Sequence, residues 1–319
     1  YIEKNAWWVK DYAAFSVLRD KFGTACFHNW EEGSVYSPML VETMFNKKSS
    51  YYKKALFYIF LQFHLEIQLC DAIEYIHCKN IALKGDLPIG VNPNSVEAWV
   101  APELFNFGLQ AGAPPDFFSR DGQNWGFPTY KWEVMAQDGF AWWTKRLGRM
   151  QQFFDLFRID HILGFFRIWA IPRPFKSGLM GIFSPALPYS AMELSSIGLN
   201  TDLEMFTLPV VSSDFIERQI NIYADKAKNE IFNNIGNGLY KLKKEFFSPT
   251  AVAEWIRVNV SPEHKDATTN GFNEILHEVL FINIVAGEYH PRIMLTETER
   301  FQLLPNNEKE IFSKIYEDF

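Results

Sequence analysis

The sequence predicts an α/β fold with parallel strands, and three observations carry that expectation. A long helical stretch, Ser49 to about His77, leads into the β-type run IALKGDLPIGV. A second helical stretch, DGFAWWTKRLGRMQQFFDLF, leads into the strand LFRIDHILGF. Helix followed by strand, twice over, is the alternation of parallel-sheet proteins. Each strand also carries an acidic residue near its C-terminal end, Asp86 in the first and Asp160 in the second, where barrels and open α/β sheets place their chemistry. Either carboxylate alone would pass for the cap of a following helix.

Taken in order, YIEKNAWWVKDYAAFSVLRDKFG reads as an amphipathic helix, with Trp7, Trp8, Tyr12, Phe15 and Leu18 near helical spacing. Between Ser49 and His77 apolar residues recur at steps of three and four, with the serines as expected caps and Asn80 as an expected stop. Gly90 to Tyr130 is rich in Gly, Pro, Asn and aromatics, and reads as one long irregular loop of functional length. Within it Asp116, Gln123 and Asn124 lie close to Phe117, Phe118, Trp125 and Tyr130. Hydrogen-bonding groups beside flat rings suit an oligosaccharide, and a rigid lid packed by its own aromatics explains the same composition. From Arg173 onward a turn-rich connection is followed by several helices. His264, His277 and His290 show no metal-ligand spacing. Lys241, Lys243 and Lys244 form a modest basic run that suits a solvated helix face.

Composition narrows the function classes. The 319 residues are 48% hydrophobic and 22% charged, with a formal net charge of -7. No basic cluster is present to neutralise phosphates, so no nucleic-acid partner is expected. Three cysteines, Cys26, Cys70 and Cys78, make neither an even framework nor a CxxC, which fits a reducing, cytoplasmic compartment. No run of about 18 consecutive apolar residues appears, so no membrane partner is expected. Aromatic residues make up 17% of the chain. Large side chains in the core account for that figure, and stacking platforms for sugar rings account for it equally.

The stretch LFRIDHILGFFRIW sets Arg158, Asp160 and His161 among residues suited to a buried strand, where unpaired charge is costly. Side chains alternate along a strand, so Arg158 and Asp160 share a face and are expected to meet. The cation would hold the carboxylate ionised. An ionised, fixed carboxylate at a strand end is what a retaining glycosidase uses as its nucleophile. The second carboxyl group of that mechanism is not revealed by any spacing.

GDLPIGV, APPDFFSRDGQNWGFPTY, FRIDHILGFFRIW and NAWWVKDYAAFSVLRDKFG together resemble the 4-alpha-glucanotransferases of glycoside hydrolase family 77, and most closely their maltose-acting subgroup. The resemblance covers residues 1 to about 190 well and the later region more loosely, around YHPRIMLTETERFQLL. It implies a (β/α)8 TIM barrel, with 1–190 a partial catalytic barrel including the 90–130 substrate loop. Residues 191–319 would be a mainly helical insertion of the same catalytic domain. It implies Asp160 as nucleophile, Arg158 as its orienting partner, and His161, Asp86, Asp116, Gln123, Asn124 and Trp125 as substrate-binding residues. It implies transfer of α-1,4-glucosyl units from maltose or malto-oligosaccharides to a glucan acceptor, without metal or organic cofactor. An α-glucan hydrolase of the same clan and a non-catalytic glucan-binding protein are the alternatives. The family's acid/base motif, an EDLG-like segment, is not found between Arg173 and Phe319. The chain therefore reads as an internal piece of a larger enzyme, inactive alone. Oligomeric state has no signature in the sequence.

Overall fold

The computed structural model describes residues 1–173 and 175–318. Its strands are β1 (Lys84–Leu87), β2 (Phe105–Ala113), β3 (Gln123–Tyr130), β4 (Leu156–Ile159), β5 (Ile168–Pro172), β6 (Ile182–Ser184), β7 (Val210–Ser212), β8 (Phe232–Gly236), β9 (Leu239–Leu242), β10 (Phe281–Ile282) and β11 (His290–Pro291). The chain forms two compact units, 1–107 with 126–166, and 108–125 with 167–319. Helices and strands mix in both, so the chain is α/β.

The first unit begins with α1 (Ile2–Phe22), α2 (Pro38–Met44) and α3 (Tyr52–His77). Gly23 ends α1 at φ 67°, its N–H returning to the Arg19 carbonyl, a left-handed cap that glycine adopts without a Cβ penalty. The buried face of α1 is Val9, Ala13, Ala14, Phe15, Val17 and Leu18. Of the expected stripe, Phe15 and Leu18 are buried and Trp8 and Tyr12 half-buried, whereas Trp7 faces outward at 51% exposure. Phe15, Trp30 and Trp99 pack with ring centroids 5.2 to 6.1 Å apart, so much of the aromatic content here is core. Ser37 caps α2 through its side chain. Ser49 instead braces the turn before α3, its Oγ accepting from the Tyr51 N–H. Asn80 sits in the left-handed region at φ 57° just past α3, as expected of a stop.

α3 is the described helix long and apolar enough to cross a membrane by length and composition, with a window of mean hydropathy 1.3. Glu66, Asp71 and Glu74 interrupt its apolar sequence, which is why no uninterrupted run of about 18 apolar residues appears. Glu66 pairs with Arg149. Phe57, Phe60, Leu65 and Tyr75 on α3 are exposed.

The rest of this unit holds α4 (Val96–Val100), α5 (Trp132–Ala136) and α6 (Ala141–Met150). β1 and β4 pair in parallel, with Asp86 opposite Arg158. Gly85 is required there: a Cβ would lie 2.6 Å from the Phe154 ring. β4 corrects an expectation. It spans only four residues, all exposed, so it is not a buried core strand, and ILGF beyond it is a 3-10 turn.

The segment 90–130 is also corrected. It contains α4, β2 and β3 instead of one irregular loop. Its alternation was obscured by glycines that serve close backbone approach: a Cβ on Gly112 would lie 2.0 Å from the Gln123 carbonyl oxygen. The four-stranded sheet has the strand order β3-β2-β5-β6, with β2–β5 and β5–β6 antiparallel. β7, β9 and β8 form a further antiparallel sheet, and β10 pairs with β11. After Arg173 these short strands lie among a larger number of helical residues. The larger core of the second unit gathers Trp169, Ile171, Phe215, Ile216, Trp255 and Phe272 among others. A second cluster centres on Phe206, Phe281 and Phe312.

Two predictions follow from this packing. Phe206 is fully buried between Phe281 and Phe312, so Phe206→Ala should cost about 3–5 kcal/mol in chemical denaturation. Burial pushes the Glu278 carboxyl up to about 7. A raised carboxyl favours the fold while protonated, so this contribution is present below the ordinary value of 4.5 and is lost as pH rises to about 7. The loss is on the order of 3 kcal/mol at most. Glu278→Gln should remove that slope, seen as the difference between wild-type and variant stability across the same pH range.

Candidate functional site

The residues singled out in the sequence divide between the units. Asp86, Arg158, Asp160 and His161 lie in the first; Asp116, Gln123, Asn124 and Trp125 lie in the second.

The first group sits at the C-terminal ends of β1 and β4. Asp155 fixes how those strands begin: one of its carboxylate oxygens accepts the Leu83 N–H at 2.8 Å and contacts His77 Nε2 at 2.9 Å, while its own N–H donates to the Leu83 carbonyl at 2.9 Å. The Leu83 N–H and then His77 hold the Asp155 carboxyl below its ordinary value. Two residues on, the strands are in register and side chains of facing residues point the same way. Arg158 Nε donates to Asp86 Oδ1 at 2.8 Å and its terminal nitrogen to Oδ2 at 2.5 Å, a bidentate fork. These bonds raise the guanidinium above its usual range, with Asp160 a smaller contribution to the same field.

That pairing revises the expected one. Arg158 was expected to engage Asp160 along its own strand; its described hydrogen bonds go across to Asp86 instead. The reason is register. Asp86 and Arg158 are direct neighbours on paired strands, whereas Asp160 lies one residue past the end of β4. The Asp160 N–H still reaches the Leu87 carbonyl, at 3.4 Å. The chain then turns at His161, which is left-handed at φ 50° and ψ 53° and opens the 3-10 turn Ile162–Phe165. Such a conformation in a residue bearing a Cβ costs of the order of 1 kcal/mol or more. Beneath these strand ends lie Leu87, Met135 and Trp143, flanked by Trp132, Trp142 and Phe165. Arg146 on α6 lies over the Trp142 and Trp143 rings at 5.0 and 5.4 Å and donates to the Pro88 carbonyl at 3.3 Å. Asp155, His77 and Arg146 were not found from the sequence, because their partners are backbone groups or lie far along the chain.

The second group lies on β3 and on the turn between β2 and β3. Asp116 Oδ1 accepts the N–H groups of Phe118 and Ser119 at 2.9 and 2.8 Å, so this carboxylate shapes its own turn. At that turn Phe117 and Phe118 are 97% and 90% exposed and meet edge to face at 5.5 Å. Asn124 donates to the Phe175 carbonyl at 3.1 Å. Gln123 and Trp125 share the other face of β3, joined by the indole N–H donating to Gln123 Oε1 at 3.0 Å. Among the described residues no group of three or more His, Cys, Asp or Glu could hold a metal ion.

Residues 1–300 match the glycoside hydrolase family 77 profile, described as 4-alpha-glucanotransferase. The chain belongs to this family. It is 34% identical to the 4-alpha-glucanotransferase DPE2 of Oryza sativa subsp. japonica over 325 residues, which is 100% of this chain and 34% of that protein. It is 35% identical to the 4-alpha-glucanotransferase of Synechocystis over 187 residues, 56% of this chain and 36% of that protein. The chain thus spans about a third of the length of these curated relatives. Among solved structures it resembles the amylomaltase of Streptococcus agalactiae determined in complex with acarbose. The TM-score is 0.52 at 24% identity, covering 83% of this chain and 60% of that one. At that identity the likeness concerns the fold.

Arg146 ties α6 to the end of the strand that carries Asp86. Arg146→Met is expected to cost about 1–2 kcal/mol, the sum of a partly shielded cation–π contact and one hydrogen bond. Chemical denaturation checks the magnitude. Backbone amide exchange from Leu87 to Ile89 should rise more than elsewhere in the unit.

Proposed function

We propose that this chain carries the nucleophile half of a retaining 4-alpha-glucanotransferase, cytoplasmic, acting on maltose or malto-oligosaccharides with a glucan as acceptor. One observation supports it above the rest. A bidentate Arg158–Asp86 pair stands at the ends of two parallel strands, with Asp160 immediately beyond. In this reading residues 1–190 are part of a (β/α)8 barrel, and 191–319 are an insertion of the same catalytic domain.

Asp160 attacks the anomeric carbon of the donor's glucosyl unit, and the glycosidic bond breaks. A carboxylic acid protonates the departing oxygen. The same group, now a carboxylate, takes the proton of an acceptor hydroxyl, which displaces Asp160 from the anomeric carbon and restores the α linkage. The acid/base must lie about 5–5.5 Å from the nucleophile. We assign it to a glutamate outside these 319 residues. Arg158 orients Asp86 and contributes positive potential to Asp160. His161 and Asp86 hydrogen-bond the sugar at the point of attack. Gln123 and Trp125 contact further sugar rings, with Asp116 and Asn124 holding the backbone that presents them. The exposed apolar residues of α3 and β4 are the surfaces against which the rest of the barrel packs.

The exposed Phe117 and Phe118 also favour a second reading, glucan binding without turnover. The full-length protein given maltose and glycogen separates the two. Transfer predicts glucose release with growth of the polysaccharide, and Asp160→Asn should lower the rate more than about a thousandfold. Phe117→Ala with Phe118→Ala should raise the KM for glycogen about threefold to tenfold and leave kcat nearly unchanged. Saturable glycogen binding with no glucose release would establish the second reading, and reducing ends without longer glucans would indicate hydrolysis. The 319-residue chain alone should release no glucose.

A further inference from the structure

The second unit contains a cavity of about 240 Å3 whose lining is mostly polar. That is the liquid volume of roughly eight water molecules, the space of one small polar ligand. Arg292 lines it and is only 5% exposed. Its terminal nitrogen donates to the carbonyls of Ile293 and Met294 at 3.1 and 3.2 Å, while Nε is buried and has no partner among the described residues. His277 Nδ1, also on the lining, is likewise buried and unpartnered. Glu278 completes the floor, one oxygen accepting the Arg300 N–H at 2.9 Å. Buried polar nitrogens left without partners cost about 1–3 kcal/mol each, so the arrangement suits a ligand that supplies those partners. Burial pushes His277 down to about 4 and Glu278 up to about 7. Near neutral pH the imidazole is therefore uncharged, and Glu278 alternates between accepting and donating.

Charge at the rim selects the class of ligand. Arg120 is offset by Asp121, Glu274 and Glu297. An anion would meet these carboxylates, and a cation would meet Arg292 and Arg120 without a ligand cluster to hold it. Hydroxyl groups both donate and accept, so a neutral polyol satisfies both kinds of neighbour. We propose that this cavity binds one neutral sugar ring, a glucose or a terminal glucosyl unit, through the Arg292 Nε–H, the His277 ring and the surrounding carboxylates. The choice of glucose among polyols rests on the proposed transferase function; the cavity and its donor set do not.

Titration of D-glucose into the full-length Asp160→Asn protein, followed by ligand-observed NMR, tests this. The expected result is saturable binding that weakens at least about tenfold both in Leu179→Trp, which narrows the cavity, and in His277→Phe, which removes the ring nitrogens. Each variant is first required to keep the parent's unfolding transition. Glucose affinity unchanged in both variants would overturn the proposal. So would inorganic phosphate or Mg2+ binding there in preference to glucose, sensitive to the same substitutions. Wild-type protein that binds glucose in the cavity but transfers no glucosyl units would refute the transferase reading and leave this site standing.

Discussion

The fork between Arg158 and Asp86 depends on the register of two four-residue strands, and the arrangement of the strand ends depends on the fork. Both side chains are more than half exposed, 57% and 51%, where an ion pair contributes little stability. Its value is geometric. Two parallel N–H···O bonds fix the guanidinium plane against the carboxylate plane, which a lysine could not do. A two-stranded ribbon is itself marginal in water. This one is pinned at its start by Asp155 and at its finish by Arg158 and Asp86, with Leu87 anchored in the aromatic cluster below.

From that fixed point the next two residues follow. Asp160 keeps a backbone contact to the Leu87 carbonyl and so leaves the ribbon in a defined direction. His161 then reverses the chain in a left-handed conformation that a β-branched residue would resist. A non-glycine residue held in the left-handed region, directly after Asp160, stores strain of the kind found where a fold places chemistry. The neighbouring turn is tied down by Gly164, whose N–H returns to the His161 carbonyl at 2.9 Å.

The parts visible in the sequence are those governed by local rules. The alternation of helix and strand located β1 and β4, and Asn80 marked the end of α3. Placement of Asp86 and Asp160 at strand ends needed only the direction of the chain. The parallel direction of β1 and β4 was also legible; what stayed hidden was their register. Spacing along one strand links Arg158 to Asp160, because residues two apart share a face; it carries no information about which residue of another strand lies opposite. The partner turned out to be Asp86, 72 positions earlier. The segment 90–130 misled for a related reason. Gly112 reads as a loop residue, yet it lies in a strand where a neighbouring carbonyl leaves no room for a Cβ. In α1 Phe15 and Leu18 of the expected face are buried, and the small residues Ala13 and Ala14 beside them, which carry no aromatic signal, share the buried side.

The turn between β2 and β3 shows why a motif that resembles a family's binding loop is not a set of equivalent ligands. Asp116 commits a carboxylate oxygen to the N–H groups of Phe118 and Ser119, and Asn124 commits its amide to the Phe175 carbonyl. These two side chains keep the backbone in shape. Gln123 and Trp125 are bonded to each other on one strand face, and Phe117 and Phe118 project from the turn with almost their whole rings exposed. A flat apolar ligand face gains most from rings held at a fixed angle, and the two phenyl groups stand edge to face at 88°. Exposing two such rings costs solvation that burial elsewhere would recover, and the turn is held from within by Asp116 together with Ser119, whose hydroxyl donates to the Gly122 carbonyl at 2.6 Å. Polar residues that appear to be ligands in the sequence thus support the apolar ones that are available for contact.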